Sequence, residues 1–311
     1  MARLRVTCLG AGTIGASWAA LFLSRGAYVA LYDPEPERLI QAKAIIAAAY
    51  DDIRALHPEC AECDWSKLHM TNMLSEACQS SDWVQENAPD RLEVKHALLR
   101  EVEGFVDKET PIASSTTALL ASEIQNGMSY PARVIVGHPF NPPHLIPLVE
   151  VVAGELTDPA LIQRARSFYE ALGKEVVVPL KEARGHIANR LNAALFREVV
   201  HMVASGIATV EEIDRAMVHG PGLRWAFLGP NLVYHLGGGE GGYAHYLTHL
   251  GPSQETRWRE LGEAELSESV RKDLVQGLEK ALVHLPYDAR AYRDAGLISL
   301  LKLKASLKTQ R

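Results

Sequence analysis

The chain has 311 residues, of which 47% are hydrophobic and 23% charged, and a formal net charge of -6 at pH 7. This length accommodates about two domains, and the composition is that of an ordinary globular protein. The negative charge offers no basic footprint for nucleic acid, and no apolar run is long enough to span a bilayer. We therefore expect no nucleic-acid or membrane partner. Residues 4–9 run directly into a glycine-rich turn and do not form a signal peptide, so we also expect a cytoplasmic protein.

The four cysteines are too few and too scattered for a disulfide framework. His57, Cys60 and Cys63 could supply half of a zinc site, but no second Cys/His pair lies at zinc-finger spacing, and a structural site needs four ligands. We therefore predict no metal, and we place these thiols, reduced, in a surface helical hairpin.

Short β-branched runs alternate with longer helical patterns in the first half of the chain. This alternation predicts a doubly wound parallel sheet covered by helices. Helices are predicted over residues 14–24 and 36–56, and Gly26 is suited to end the first of them. The predicted strands are 5–9, 28–32, 83–85, 112–114, 134–136, 148–152 and 176–178.

Strand patterns disappear after Lys181. Thr209 and Glu212 form a capping box that opens one helix, and the rest of the chain has a helical pattern apart from the glycine-rich residues 237–242. We therefore predict an N-terminal α/β domain of the Rossmann type over residues 1–183 and an all-α domain over residues 184–311. A buried helix is predicted just after the boundary from five apolar residues spaced about 3.6 apart, namely Ile187, Leu191, Ala194, Leu195 and Met202.

A glycine-rich turn, Gly10-Ala-Gly12-Thr13-Ile14-Gly15, lies between the first predicted strand and helix. Gly10 allows the tight turn, Gly12 lets the backbone approach a pyrophosphate, and Gly15 lets helix and strand pack closely. The helix start at Thr13 and Ile14 presents unpaired N–H groups to the phosphates. In this strand–turn–helix context the motif indicates a dinucleotide site rather than a purely structural turn.

Asp33 ends the second predicted strand, where a carboxylate can accept hydrogen bonds from both ribose hydroxyls of a dinucleotide. The same charge would repel a 2′-phosphate, and no arginine directly follows it. The sequence therefore predicts NAD rather than NADP as the cofactor.

His138 follows an apolar strand, at the edge where open α/β sheets bind ligands. Oxidation of an alcohol needs a base for the hydroxyl proton, and imidazole titrates in the right range. Glu150 can hold the second imidazole nitrogen if the proline-rich turn folds its strand back alongside His138. The alternative is a solvated glutamate at a sheet edge beside a histidine in a turn, and the residues alone favour neither.

The glycine turn, the segment His138-Pro-Phe140-Asn141-Pro, the glutamate twelve residues later and Ala188-Asn189-Arg-Leu resemble the 3-hydroxyacyl-CoA dehydrogenase superfamily over nearly the whole chain. The segment 220–230 resembles one branch, which includes lambda-crystallin, L-gulonate 3-dehydrogenase and L-carnitine dehydrogenase. The resemblance implies NAD-dependent oxidation of a 3-hydroxy acid.

The resemblance also implies roles for individual residues. His138 would be the general base, Glu150 its orienting partner and Asn189 a donor near the reacting oxygen. Thr117 stands where family members commonly have serine, and it keeps the hydroxyl with a stiffer side chain. Asp90 and Lys95 match positions near the nicotinamide ribose, although an ordinary charged helix start explains them equally well. Phe140 and Asn141 are assigned to the substrate site.

Arg224 occurs in a segment where acyl-CoA enzymes of the superfamily tend to carry a Gly-Pro-Phe type sequence. An arginine there suggests a free carboxylate held by two hydrogen bonds, and Trp225 is assigned to the same substrate site. The alternative is an arginine that bridges helices or subunits. A quaternary ammonium group would need aromatic faces and an acid, and residues available for this, which could equally be core or interface aromatics, are Trp225, Tyr234, Glu240, Tyr243, Tyr246 and Trp258.

Three functions remain open at this point. The first is oxidation of a short free L-3-hydroxy acid of the carnitine or gulonate type, the second is an L-3-hydroxyacyl-CoA dehydrogenase, and the third is a non-catalytic, crystallin-like or NAD-binding protein. The combination of His138, Glu150 and Asn189 favours catalysis. We further predict a homodimer, because the apolar stripe of residues 297–303 in the last helix needs a partner.

Overall fold

A computed structural model describes residues 4–309 and contains an eight-stranded sheet in its N-terminal part. The strands are β1 Arg5–Leu9, β2 Tyr28–Tyr32, β3 Leu68–Thr71, β4 Trp83–Glu86, β5 Ile112–Ser114, β6 Val134–Pro139, β7 Leu148–Ala153 and β8 Glu175–Val177. The helices of this part are α1 Thr13–Ser24, α2 Pro36–Leu56, α3 Leu74–Ala77, α4 Leu92–Glu103, α5 Ala121–Gln125 and α6 Pro159–Ala171.

The strand order is β3-β2-β1-β4-β5-β6-β7-β8. Strands β1 to β6 are parallel, β7 runs antiparallel to β6, and β8 is parallel to β7. The chain moves outward from β1 in one direction to β2 and in the other to β4, so the order reverses at β1. This doubly wound arrangement, predicted from the sequence, leaves a crevice at the carboxyl end of β1, where such sheets bind ligands.

All seven predicted strands are present, but β3 was not predicted. It is an edge strand of four residues in which only Thr71 is fully buried, so its apolar alternation is weak. The predicted surface helical hairpin around Cys60 and Cys63 is wrong, because this segment is a loop that leads through a 3-10 turn, Trp65–Lys67, into β3.

Two hydrophobic clusters enclose the sheet. One is built around α1, α2 and α6, and the other contains residues of α4 and α5. Aromatic rings dominate the first cluster, where Trp83 and Phe168 stack with ring centroids 3.9 Å apart and Trp18 stacks on Phe22 at 5.4 Å. Long helices packed on a sheet in this way fix the strand ends that carry the site.

The rest of the described chain is helical. Its helices are α7 Ala188–Ala204, α8 Val210–His219, α9 Pro221–Trp225, α10 Pro230–Gly237, α11 Gly242–Glu260, α12 Glu268–Val283 and α13 Ala289–Thr309. The predicted capping box at the start of α8 is half confirmed, since the Thr209 hydroxyl accepts from the Glu212 N–H. The predicted helix α7 is also confirmed, but its predicted burial is wrong at Leu191 and Leu195, which are 60% and 37% exposed.

The chain divides into two compact units. One extends to Arg190 and includes the residues from Arg293 onward, and the other is Leu191–Tyr292. The first contains the sheet, and the second consists of helices. Among the described residues, no helix combines the length and the apolar character needed to cross a membrane.

Candidate active site

The glycine-rich turn follows β1 and is tightly packed at two of its three glycines. Gly10 has a φ of +95°, and a Cβ there would lie 2.8 Å from the Asn87 carbonyl oxygen. A Cβ on Gly15 would lie 1.9 Å from the carbonyl oxygen of Gly10. Around Gly12, in contrast, a Cβ would meet nothing within 4 Å. The turn therefore packs helix against strand while it leaves space beside Gly12, as a pyrophosphate requires.

Helix α1 begins immediately after this space. Its N-cap is Gly12, so no capping side chain accepts from the N–H groups of the first turn, to which Thr13 and Ile14 belong. Asp33, 6% exposed, follows β2. Its Oδ2 accepts from the Ala11 N–H at 2.8 Å and its Oδ1 from the Glu35 N–H at 3.1 Å. Each oxygen keeps a second lone pair for a ribose hydroxyl, so these residues fit NAD.

A buried ion pair lies beside this turn, at the end of β4. Lys95 donates to both carboxylate oxygens of Glu86, at 2.7 and 2.9 Å, and to the Ala88 carbonyl at 3.0 Å. Asp90 lies 3.5 Å from the Lys95 ammonium and accepts from the Thr117 N–H at 2.8 Å. The ion pair therefore holds Asp90 and the loop that carries Thr117 in place.

His138 and Glu150 are directly paired across the antiparallel strands β6 and β7. The imidazole Nδ1 lies 3.0 Å from Glu150 Oε2, and the two residues are 4% and 1% exposed. Because an ionised carboxylate can only accept a hydrogen bond, Nδ1 carries the proton and Nε2 keeps its lone pair. The predicted fold-back of the proline-rich turn is thus present, and Glu150 is not a solvated edge residue.

The other oxygen of Glu150 faces the start of α7. It accepts from the backbone N–H groups of Ile187 at 2.8 Å and Ala188 at 3.1 Å. Burial alone would raise the pKa of Glu150, but the hydrogen bonds from His138 and from these two N–H groups outweigh it and hold the pKa below its ordinary value. Glu150 therefore stays ionised and keeps His138 in one tautomer.

Asn189 lies in the first turn of α7, where its amide nitrogen is 3.4 Å from Nε2 of His138. Since Nδ1 carries the ring proton, the Asn189 amide donates to the Nε2 lone pair in this structure, so acceptor and donor face one point. An oxygen atom placed there could give a proton to the imidazole and accept a hydrogen bond from the amide.

Sequence reasoning missed two residues of this site, His186 and Glu86. His186 is 3% exposed, its ring centroid lies 5.0 Å from that of His138, and its Nε2 lies 3.0 Å from the Thr116 carbonyl oxygen. Burial lowers its pKa, so the ring is neutral beside the base. The signal for Glu86 was available, since it is an acid at the end of the apolar strand β4, as Glu150 is an acid in β7.

The remaining predicted residues of the first unit lie at the rim of the site. Phe140 is edge-on to His138, with ring centroids 6.2 Å apart, and Asn141 is exposed next to it. Thr117 is exposed on the loop after β5, next to the Thr116 carbonyl that contacts His186.

Arg224 and Trp225 lie on α9 of the second unit. Both are exposed. Of the aromatic residues considered for a quaternary ammonium, Tyr234 and Tyr246 stack on each other with centroids 4.7 Å apart, as packed aromatics do. Binding of a substrate by Arg224 and Trp225 stays a prediction.

Two family models match the chain and identify its family. The model described as 3-hydroxyacyl-CoA dehydrogenase, NAD binding domain, matches residues 5–183, and the model of the C-terminal domain of the same family matches residues 185–274. The chain belongs to the 3-hydroxyacyl-CoA dehydrogenase family. It is an NAD-dependent dehydrogenase, as the sequence predicted.

Curated relatives and solved structures extend this finding. The chain is 44% identical over 299 residues to the L-carnitine dehydrogenase of Nocardiopsis dassonvillei, with 96% of this chain and 90% of that protein covered. It is 45% identical over 305 residues to the L-carnitine dehydrogenase of Streptomyces griseus, with 97% and 90% covered. The structure of 5-formyl-3-hydroxy-2-methylpyridine 4-carboxylic acid 5-dehydrogenase superposes with a TM-score of 0.78 at 26% identity, covering 96% of this chain and 97% of that one. FadB2 of M. tuberculosis superposes with a TM-score of 0.66 at 27% identity, covering 76% and 83%.

Proposed function

We propose that this enzyme oxidises the 3-hydroxyl group of L-carnitine, a short free 3-hydroxy acid, to the 3-keto acid. The chemistry is supported by the position of the His138 imidazole, which is held at Nδ1 by Glu150 and has its Nε2 lone pair beside the Asn189 amide. For the substrate, support comes from relatives named L-carnitine dehydrogenase that are 44% and 45% identical over almost the whole chain.

In the proposed reaction, His138 is the general base. Its Nε2 accepts the hydroxyl proton as the carbon–oxygen bond becomes a carbonyl, and Glu150 stabilises the imidazolium that forms. The amide of Asn189 donates to the same oxygen and so orients it. The neutral ring of His186 places no second positive charge beside this imidazolium.

The cofactor would be held by the turn at Gly10, Gly12 and Gly15, by the start of α1 and by Asp33. NAD+, when bound, supplies the acceptor for the hydride that leaves the substrate carbon. The carboxylate of Asp33 would repel the 2′-phosphate of NADP, so NAD specificity follows from the same residue that holds the ribose.

We favour a free acid over a CoA thioester for two reasons. Arg224 can form a bidentate pair with a substrate carboxylate. A CoA substrate, in contrast, needs a basic surface for its phosphates, whereas the region around the end of α2 exposes the acidic residues Asp51, Glu59, Glu62 and Asp64. These charges would repel the adenosine diphosphate part of CoA.

The test is NADH production by the purified enzyme with L-carnitine, L-gulonate, 3-hydroxybutyrate and 3-hydroxybutyryl-CoA, each measured over a range of concentrations. We expect the highest kcat/KM with L-carnitine. Efficient turnover of the CoA thioester with the free acids inert would overturn the proposal. NADH binding without turnover of any of the four would favour a non-catalytic role.

We propose that the boundary between the NAD-binding domain and the helical domain lies at residues 183/184. This is next to the junction of the two family matches, of which the first ends at residue 183 and the second begins at residue 185. We also propose that the enzyme acts as a homodimer through the apolar residues that its helices leave exposed.

A further inference from the structure

The loop over residues 140–147 connects β6 to β7, and so connects His138 to Glu150. Its conformation sets where the imidazole lies relative to the carboxylate. One side chain of this loop, His144, turns toward the helices α1 and α2, and only 9% of it is exposed. It lies outside the chemistry derived above, yet its ring is bonded at both nitrogens.

The hydrogen bonds of His144 define its tautomer. The Ser17 hydroxyl oxygen accepts from the backbone N–H of His144 at 2.9 Å, and it lies 2.8 Å from the imidazole Nδ1. Because a carboxylate can only accept, Nε2 carries the ring proton and donates it to Asp52 Oδ2 at 3.2 Å. Burial lowers the pKa of His144 and keeps the ring neutral, so Nδ1 carries a lone pair and accepts from the Ser17 hydroxyl.

Lys174 holds the same loop from another side. Its Nζ donates to the carbonyl oxygens of Pro143 and Ile146, the latter at 2.9 Å, and lies 5.3 Å from the centroid of the Trp18 ring. His144 and Lys174 thus fasten the loop to two consecutive residues of α1, Ser17 and Trp18. Both are buried in the hydrophobic core, so they form a rigid support.

The same helix begins at the nucleotide-binding turn. Ser17 lies in the second turn of α1, and the first helical residue after Gly12 is Thr13. The position of the cofactor and that of the catalytic imidazole are therefore set by one rigid element, provided that the bridge from Ser17 to His144 is intact.

We propose that His144 is a positioning residue, whose bond to Ser17 fixes the catalytic hairpin against the cofactor helix and so sets the geometry of hydride transfer. This inference rests on the proposed function. Asp52 orients the imidazole of His144. The hydrogen bond from the Ser17 hydroxyl to Nδ1 then fixes the loop, and with it the hairpin, relative to α1.

The charged groups around His144 agree with a neutral ring that accepts at Nδ1. Burial lowers its pKa and Lys174 lowers it further, whereas Asp52 and Asp294 act in the opposite direction, and the net pKa lies below 6.5. Burial also lowers the pKa of Lys174 to about 7, with a further contribution from Arg25.

Two variants of His144 separate its hydrogen bond with Ser17 from its hydrogen bond with Asp52. Asparagine places its amide near the position of Nδ1, and glutamine places its amide near that of Nε2. His144→Asn therefore keeps an acceptor for Ser17, while His144→Gln keeps a donor for Asp52. We expect kcat within about three-fold of wild type for His144→Asn, and a loss of ten-fold or more for His144→Gln, with the NADH dissociation constant from fluorescence titration nearly unchanged in both.

The deuterium isotope effect at the reacting carbon gives a readout that a merely structural role would not move. It should rise in His144→Gln and in Ser17→Ala, a small change in a helix interior that removes only the hydroxyl bridge. The inference is overturned if His144→Asn and His144→Gln have the same kcat and the same isotope effect, whether these match the wild-type values or not. It is also overturned if Ser17→Ala has the kcat and isotope effect of wild type. The proposed function fails if the wild-type enzyme does not oxidise L-carnitine. This inference fails on the kcat and isotope effect of the variants relative to wild type, so the two failures are distinguishable. The ¹⁵N spectrum of His144, which needs no turnover, checks the tautomer.

Discussion

At the scale of single residues, His138 divides its two nitrogens between Glu150 and the site for the reacting oxygen. Replacement of His138 by alanine removes the proton acceptor and leaves the glycine turn untouched. We expect turnover to fall by about 100- to 10,000-fold, with NADH affinity close to that of wild type. Steady-state kinetics and a fluorescence titration check both parts, and activity within a few-fold of wild type would mean that another group is the base.

Asp33 is a second single residue with a large effect, because it determines the preference for NAD over NADP. Its carboxylate braces the turn through the Ala11 N–H and is placed for the ribose hydroxyls. We expect a strong preference for NAD in the wild type and a relaxed preference in the double variant Asp33→Ser with Pro34→Arg, because the arginine offers a partner to the 2′-phosphate. Comparable kcat/KM for NAD and NADP in the wild type would contradict this assignment.

Arg224 is the residue on which the free-acid substrate depends. Loss of a bidentate contact to a desolvated carboxylate costs roughly 2–5 kcal/mol, so Arg224→Met should raise KM for L-carnitine on the order of a hundred-fold or more, with a smaller effect on kcat. Thermal unfolding of the variant provides the control. A lower melting temperature with an unchanged KM would assign Arg224 a structural role.

At the scale of elements, the pairing of β6 with β7 and the start of α7 converge on Glu150. Its folded-state pKa lies below its ordinary value of 4.5, so the ionised carboxylate stabilises the fold above about that pH, and this contribution is lost as the pH falls through the lowered pKa. We expect wild type to melt at a higher temperature than Glu150→Gln at pH 7 and this difference to shrink toward pH 3. Thermal unfolding of both proteins across this range measures it, and a constant difference would exclude the linkage.

At the scale of the whole molecule, the last two helices leave several large apolar side chains exposed. Val275, Leu278 and Leu282 on α12 are 55%, 45% and 48% exposed, and Leu303 and Leu307 on α13 are 48% and 44% exposed. We expect a two-fold dimer in light scattering at micromolar concentration, and dissociation on introducing Leu278→Glu with Leu282→Glu. A wild-type monomer under these conditions would contradict the proposal.

Local patterns in the sequence determined a large part of this protein. The glycine turn, Asp33 and the β-branched runs predicted the sheet, the nucleotide turn and NAD, because each depends on residues near in sequence. The pairing of His138 with Glu150 was predicted only on the condition that the chain folds back between them. No local rule indicated that fold-back, and only the family resemblance supported it.

Tertiary structure decided what depends on distant residues. Ser17, Asp52 and His144 are separated by up to 127 residues and carry no motif, yet packing of α1 and α2 on the sheet brings them together. The edge strand β3 was missed because its few residues are stabilised by pairing with β2 rather than by their own pattern. The apolar spacing of α7 predicted a helix correctly, but periodicity reports which face is apolar and not what covers it. Coverage is a property of the folded and assembled molecule, so Leu191 and Leu195 could be assigned to a helix from the sequence and not to a core.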